Sequence, residues 1–185
     1  MTPRLLLLYT SRAAGFAAAA SLLYAAGRLL YLRLRGGRWT RRETLRLLFT
    51  AYLAALIHIT VIRTGPDWAA LRQGTAYRQL LLTPFKSAVR LYRQGLWYVC
   101  VEVIGNIAGF VPFGLLLPVC VRRFDRFSRM LPAAAGLSLF IELSQFLLAT
   151  GVTDIDDLLF NTLGGVLGYF LLLLFRRVRG QAARR

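Results

Sequence analysis

TDIDDLLFNTLGGVLGYFLLLLF, from Thr153 to Phe175, decides the fold. Its last 18 residues, Leu158–Phe175, carry no charge, and that is close to the length a tilted helix needs to cross a bilayer. Just ahead of them stand Asp154, Asp156 and Asp157, three of only eight acidic residues in a chain of net charge +16. Carboxylates are thus concentrated where an apolar helix begins, and that mouth is the first place to look for a site.

Four more stretches read the same way. Ala13–Leu32, Leu45–Ile62, Trp97–Val121 and Leu131–Ala149 each approach the roughly 20 residues of a spanning helix. With 57% hydrophobic residues, mean hydropathy +0.53 and 185 residues, the chain is predicted to be an all-α, polytopic membrane helical bundle of about five transmembrane helices. Cys100 and Cys120 fall in one span, about 30 Å apart at the rise of a helix, so they cannot bridge each other. No Cys/His zinc spacing exists, and the lone His58 leaves a transition metal without its usual imidazole ligands. Neither metal nor cofactor is expected. Arg4 followed by an alanine-rich apolar stretch has the outline of a secretory signal, but cleavage would send the arginine-rich segment behind it outside, against the charge rule.

That rule counts Lys and Arg in short loops. Arg33, Arg35, Arg38, Arg41, Arg42 and Arg46 follow the first span, Arg122, Arg123, Arg126 and Arg129 the third, and Arg176, Arg177, Arg179, Arg184 and Arg185 the fifth. With the N-terminus outside, these fifteen are cytoplasmic, against eight on the other side, so the expected orientation is N-out, C-in. The link between the fourth and fifth spans has no basic residue. The exception is Gly65–Leu96, which carries Arg63 at its edge, Arg72, Arg78, Lys86, Arg90 and Arg93 and falls outside. It is long for a bundle connection and contains Leu80-Leu81-Leu82. It reads either as a short interfacial or re-entrant piece whose cations meet lipid phosphates, or as a solvated basic loop.

Under this topology the polar residues within the spans gather in the outer half. Glu102 lies about 7 Å and Asn106 about 14 Å below a belt of Trp97 and Tyr98 at the helical rise, on one face at i, i+4. Glu142 and Gln145 stand on the fourth helix, with Glu142 about 10 Å from its outer end. Asp156, Asp157 and Asn161 open the fifth, while His58 and Arg63 reach the same level from the second. Ionisable residues in a bilayer are costly and are functional candidates by default, so the cluster is read as an outward-facing polar pocket. Blander roles compete with this. Asp154 or Asp156 serves equally well as a helix cap, Asn106, Gln145 and Asn161 as interhelical hydrogen-bond glue, and His58 as a packed residue. Gly164, Gly165 and Gly168 form a small-xxx-small face, and Gly105, Gly109 and Gly114 are expected to thin the third helix for close approach. Pro112 and Pro118 are expected to kink it.

Four elements in one order give the chain a family likeness. Thr83-Pro84-Phe85-Lys86, the run Gly105–Gly114, the run Ser138–Gln145 and the run Asp154–Gly165 resemble the VanZ-like family of membrane proteins, over roughly Leu45 to Phe175. Where that family often has Asn-Leu-Ile before Pro-Phe-Lys, this chain has Leu81-Leu82-Thr83. The resemblance divides the chain into 1–44, a first helix with a basic link, 45–175, a VanZ-like membrane domain, and 176–185, a basic tail. It implies a bacterial multi-pass cell-membrane protein associated with glycopeptide, specifically teicoplanin, resistance, with Lys86, Asn106, Pro112, Glu142, Gln145, Asp156, Asp157 and Asn161 at motif positions.

The full candidate cluster is therefore Arg63, Lys86, Glu102, Asn106, Glu142, Gln145, Asp154, Asp156, Asp157 and Asn161. The expected role is non-enzymatic, a pocket that binds a lipid headgroup, another envelope lipid or a glycopeptide, or that alters surface access to one. An enzyme acting on an envelope lipid would need Glu142 and Asp156 or Asp157 as acid and base, and no Ser/His/Asp set or phosphate loop accompanies them. A small transporter or lipid translocator would need a continuous polar track, whereas this one is confined to the outer half. Membrane lipids are the expected partners. Nucleic acid is not, because the arginines flank apolar spans.

Overall fold

The computed structural model describes residues 3–62, 65–85, 89, 92, 93 and 95–182. The chain forms two units, Met1–Pro66 and Asp67–Arg185. Among the described residues, five helices are long and apolar enough to cross a membrane, Ser11–Leu34, Arg41–Ile62, Leu96–Cys120, Phe127–Leu148 and Ile155–Gln181. The all-α chain with about five membrane-length helices predicted from hydropathy is thus borne out.

In the first unit, α1 (Pro3–Leu34) and α2 (Arg41–Ile57) pack as a hairpin, and α2 runs on into a π-helical turn, His58–Ile62. The reversal uses Gly36 at φ +67, a left-handed conformation that glycine adopts without strain. Between the helices lies Glu43, 5% exposed. It accepts hydrogen bonds from Arg28 Nε (2.8 Å) and Nη2 (2.9 Å), from Arg46 Nη1 (2.9 Å) and from the Tyr24 hydroxyl (3.1 Å). A buried carboxylate is tolerable only with such partners. His58 is also buried, its ring 5.5 Å from that of Phe16.

The second unit begins with α3 (Trp68–Gln73), capped by Asp67, whose side chain accepts from the Ala69 and Ala70 amides, and ended by Gly74 at φ +71. Strand β1 (Gln79–Leu81) follows, then α4 (Leu96–Cys120), a 3₁₀ turn (Arg122–Phe124), α5 (Phe127–Leu148), β2 (Val152–Asp154) and α6 (Ile155–Ala182). The strands pair in parallel, Gln79 with Val152, Leu80 with Thr153 and Leu81 with Asp154. This small sheet has no counterpart in the sequence reading, and it makes Leu80 and Leu81 part of a strand.

Helices α4 and α6 pack most extensively and run parallel, with α5 returning between them in sequence. Their backbones touch at glycines. A Cβ on Gly164 would overlap the Ile107 carbonyl oxygen, one on Gly168 that of Val111, and one on Gly114 that of Gly165. Gly165 lies against α5, where a Cβ would stand 2.7 Å from Ala134 Cβ. Without a hydrophobic force between helices in lipid, close approach of small residues is what dispersion attraction requires. Of the three glycines expected to thin α4, only Gly114 does so. Gly105 and Gly109 have nothing within 4 Å of an added Cβ, because they point away from the α6 seam. Helix α4 runs unbroken through Pro112 and Pro118.

Phe110, Met130, Ala134, Ser138 and Ile141 form the tightest part of the core. At the end away from the sheet, the Tyr169 hydroxyl donates to the Asp125 carbonyl (3.1 Å), Arg176 pairs with the Asp125 carboxylate, and Phe127, Tyr169 and Phe170 cluster.

Candidate functional site

The opposite end of this unit holds the acids. Helix α5 ends at Ala149, whose φ of +51 breaks the helix, and the chain turns through Thr150 and Gly151 into β2. Gln145 folds over that turn, its Cδ 3.3 Å from where a Gly151 Cβ would stand. The chain then enters α6 at once, and this abrupt junction gathers the carboxylates.

Glu142 on α5 is 3% exposed, and its Oε2 accepts the Asp154 amide at 2.8 Å, while the Thr153 hydroxyl donates to the Glu142 carbonyl at 3.2 Å. Asp154, ahead of the first turn of α6, caps it: Oδ1 accepts the Asp156 amide at 3.0 Å. Asp156 is 2% exposed, and its Oδ1 accepts the Phe85 amide at 2.6 Å. A relay of carboxylate-to-amide bonds therefore runs from α5 through β2 and α6 to the turn after β1. Phe85 has φ +60, an uncommon conformation for a side chain of this size, and the Asp156 bond helps hold it. Asp156 Oδ2 is buried without a hydrogen-bond partner among the described residues.

Two side-chain pairs tie helices together beside this relay. Asn106 Nδ2 on α4 donates to Asp157 Oδ1 on α6, and Asn161 Nδ2 on α6 donates to Ser138 Oγ on α5 at 3.1 Å. Asn161 and Ser138 are 5% and 0% exposed, so in an apolar surround each satisfies the other. Glu102 is exposed on α4. Arg63 and Lys86 lie outside the described residues.

Of the sequence-predicted cluster, then, Asn106, Glu142, Asp154, Asp156, Asp157 and Asn161 come together at the sheet end of the second unit, with Gln145 over the adjoining turn. His58 belongs to the first unit and packs on Phe16. Sequence reasoning passed over Ser138 and Thr153, which lay in plain view as the small polar residues one turn from Glu142 and beside Asp154. It also passed over Glu43, the lone acid in an arginine-rich block. Among the described residues, no three His, Cys, Asp or Glu side chains converge as a metal site.

A membrane helix bundle with acids at one end and glycine-sealed helices defines a class, and comparison with known proteins supplies the family. The VanZ/LLP1 family model matches residues 49–176, and the chain belongs to that family. It is 42% identical over 91 residues to Protein VanZ of Enterococcus faecium, an overlap of 49% of this chain and 50% of that protein. The chain thus spans about half the length of this curated relative. No solved structure gives a match.

Proposed function

We propose that this is a multi-pass cell-membrane protein, N-terminus outside and C-terminus in the cytoplasm, whose acidic cluster forms an outward-facing pocket for a lipid headgroup or other envelope ligand. Through that pocket it contributes to glycopeptide, specifically teicoplanin, resistance. The observation that carries this reading is the burial of Glu142 and Asp156 at one end of the bundle, neither of them ion-paired among the described residues. A helix start needs one capping carboxylate, and Asp154 is that one. The family supports the resistance role, and the distribution of arginines supports the orientation. Binding is favoured over acid–base catalysis because no Ser/His/Asp set or phosphate loop accompanies the acids.

Glu142→Gln and Asp157→Asn, at membrane levels equal to wild type, are expected to restore teicoplanin susceptibility in a host that depends on this protein. Unchanged resistance in both rejects a functional cluster. A cysteine at Val152, in a background with Cys100 and Cys120 replaced by Ser, is expected to react with an impermeant reagent added to whole cells, and protection overturns the orientation. Incubation with labelled envelope lipids is expected to leave them unaltered, so a new product favours the enzyme.

A further inference from the structure

Between Asp67 and Phe85 the chain forms a strap, α3 followed by β1, and its outer surface is unusually apolar. In β1 and the residue after it the side chains alternate, Leu81 turned in and 9% exposed, Leu80 and, just past the strand, Leu82 turned out at 49% and 65%. Trp68, Tyr77 and Phe85 are 61%, 78% and 59% exposed. Five large apolar or aromatic side chains on one short segment are more than a water-facing loop normally displays.

The register fixes where this surface lies. Leu81 pairs with Asp154, and the next residue, Ile155, begins a span. The strap is therefore clamped at the level where α6 leaves the bilayer. Because α4 runs parallel to α6, with Ile107 beside Gly164 and Val111 beside Gly168, the exposed Trp97 and Tyr98 at the start of α4 belong to the same end. Aromatic rings at a span boundary mark the headgroup layer.

We infer that residues 67–85 are an interfacial strap, seated with Trp68, Tyr77, Leu80, Leu82 and Phe85 in the headgroup layer of the bilayer. The occupant of this surface is lipid. Continuity with the span ends and with Trp97 and Tyr98 argues for it, and so does chemistry: amphipathic rings and short apolar stretches beside cations such as the exposed Arg72 suit a layer of phosphates above acyl chains. The bond from the Phe85 amide to Asp156 then ties the acidic junction to a strap that lies in the headgroup layer rather than in bulk water. This placement holds whether or not the acids bind a ligand.

The test uses the full chain in vesicles, with Trp39→Phe and Trp97→Phe leaving Trp68 as the only indole. Its emission is expected to be quenched most by lipids brominated near the headgroup, less by lipids brominated at the chain ends, and little by aqueous iodide. Quenching by iodide with no effect of either bromolipid overturns the inference, as does strongest quenching from the chain ends. A second reporter, Tyr77→Cys with Cys100→Ser and Cys120→Ser and a polarity-sensitive fluorophore attached, guards against a misfolded tryptophan variant. Its emission is expected to shift to the blue on reconstitution and to stay fixed as the protein-to-lipid ratio falls. A shift that vanishes on dilution in lipid means that another protein copy covers the strap, and no shift means water does. Either result overturns the proposal.

Discussion

Adding one methyl group at Gly114 tests whether α4 and α6 meet backbone to backbone. A Cβ there would overlap the Gly165 carbonyl oxygen and stand 2.7 Å from the Tyr169 amide nitrogen and 2.9 Å from the Gly165 carbonyl carbon. All three obstacles are main-chain atoms of α6, so no rotamer change relieves them, and the helices must part. Overpacking a tight core costs about 1–3 kcal/mol where side chains can adjust. With only backbone to move, and with the neighbouring seams at Gly164 and Gly168 also forced open, Gly114→Ala is expected at or above the upper end, about 3 kcal/mol.

Gly109→Ala is the matched control on the same helix. Nothing lies within 4 Å of its added Cβ, and alanine is the better helix former, so it is expected within about 0.5 kcal/mol of wild type or slightly stabilising. Both variants are unfolded by SDS titration from mild-detergent micelles, following helicity and tryptophan emission. If Gly114→Ala and Gly109→Ala shift the midpoint equally, or if neither shifts it, the close α4–α6 seam is wrong.

Three further outcomes follow from the hydrogen bonds. Glu43→Ala strands Arg28 and Arg46, which are about a third exposed and so partly rehydrate; a loss of about 2 kcal/mol in the stability of the α1–α2 hairpin is expected, read by SDS titration, with Glu43→Gln intermediate. Asn161→Ala removes the bond to Ser138 and is expected to cost about 1 kcal/mol, the usual range for hydrogen bonds between membrane helices, with Ser138→Ala adding little further in the double variant. Asp156→Ala frees the Phe85 amide and is expected to raise amide hydrogen exchange across residues 79–85, while Asp156→Asn, which keeps an acceptor oxygen, preserves most of the protection.

The helices were legible because hydropathy over about 20 residues is a signal that the bilayer itself imposes, and tertiary context cannot override it. A capping role for one of Asp154 and Asp156 was legible too, since a carboxylate ahead of an apolar helical run has an obvious backbone partner, but which of the two was not. The parallel pairing of β1 with β2 was not. Three residues, Gln79–Leu81 or Val152–Asp154, are too few to show a period, and their partners lie some seventy positions apart. Glycine spacing located the small face of α6 but misjudged α4, because a glycine reports that its position is thin and not which neighbour faces it. Gly105 and Gly109 therefore read like Gly114. Glu43 escaped notice because an arginine-rich block was weighed only as an orientation signal, although one acid among six arginines is what a pairing network looks like in sequence.

The same junction now sorts the acids by what each can spare. Asp154 is committed to the first turn of α6, and Asp156 fastens the strap through Phe85. Removing either perturbs structure directly, so loss of function there says little about a ligand. Glu142 differs, because its structural bond is one that a neutral amide oxygen can also accept. Glu142→Gln therefore keeps the Asp154 amide satisfied and the volume filled while abolishing the charge. Glu142→Ala instead leaves a buried amide orphaned beside a void, two penalties of a few kcal/mol unrelated to any ligand. Asp157 behaves alike, with Asn106 able to turn its side-chain amide to suit an asparagine. Conservative amides at positions 142 and 157, rather than alanines at 154 and 156, are thus the substitutions in which a changed phenotype reports charge and not collapse of the fold.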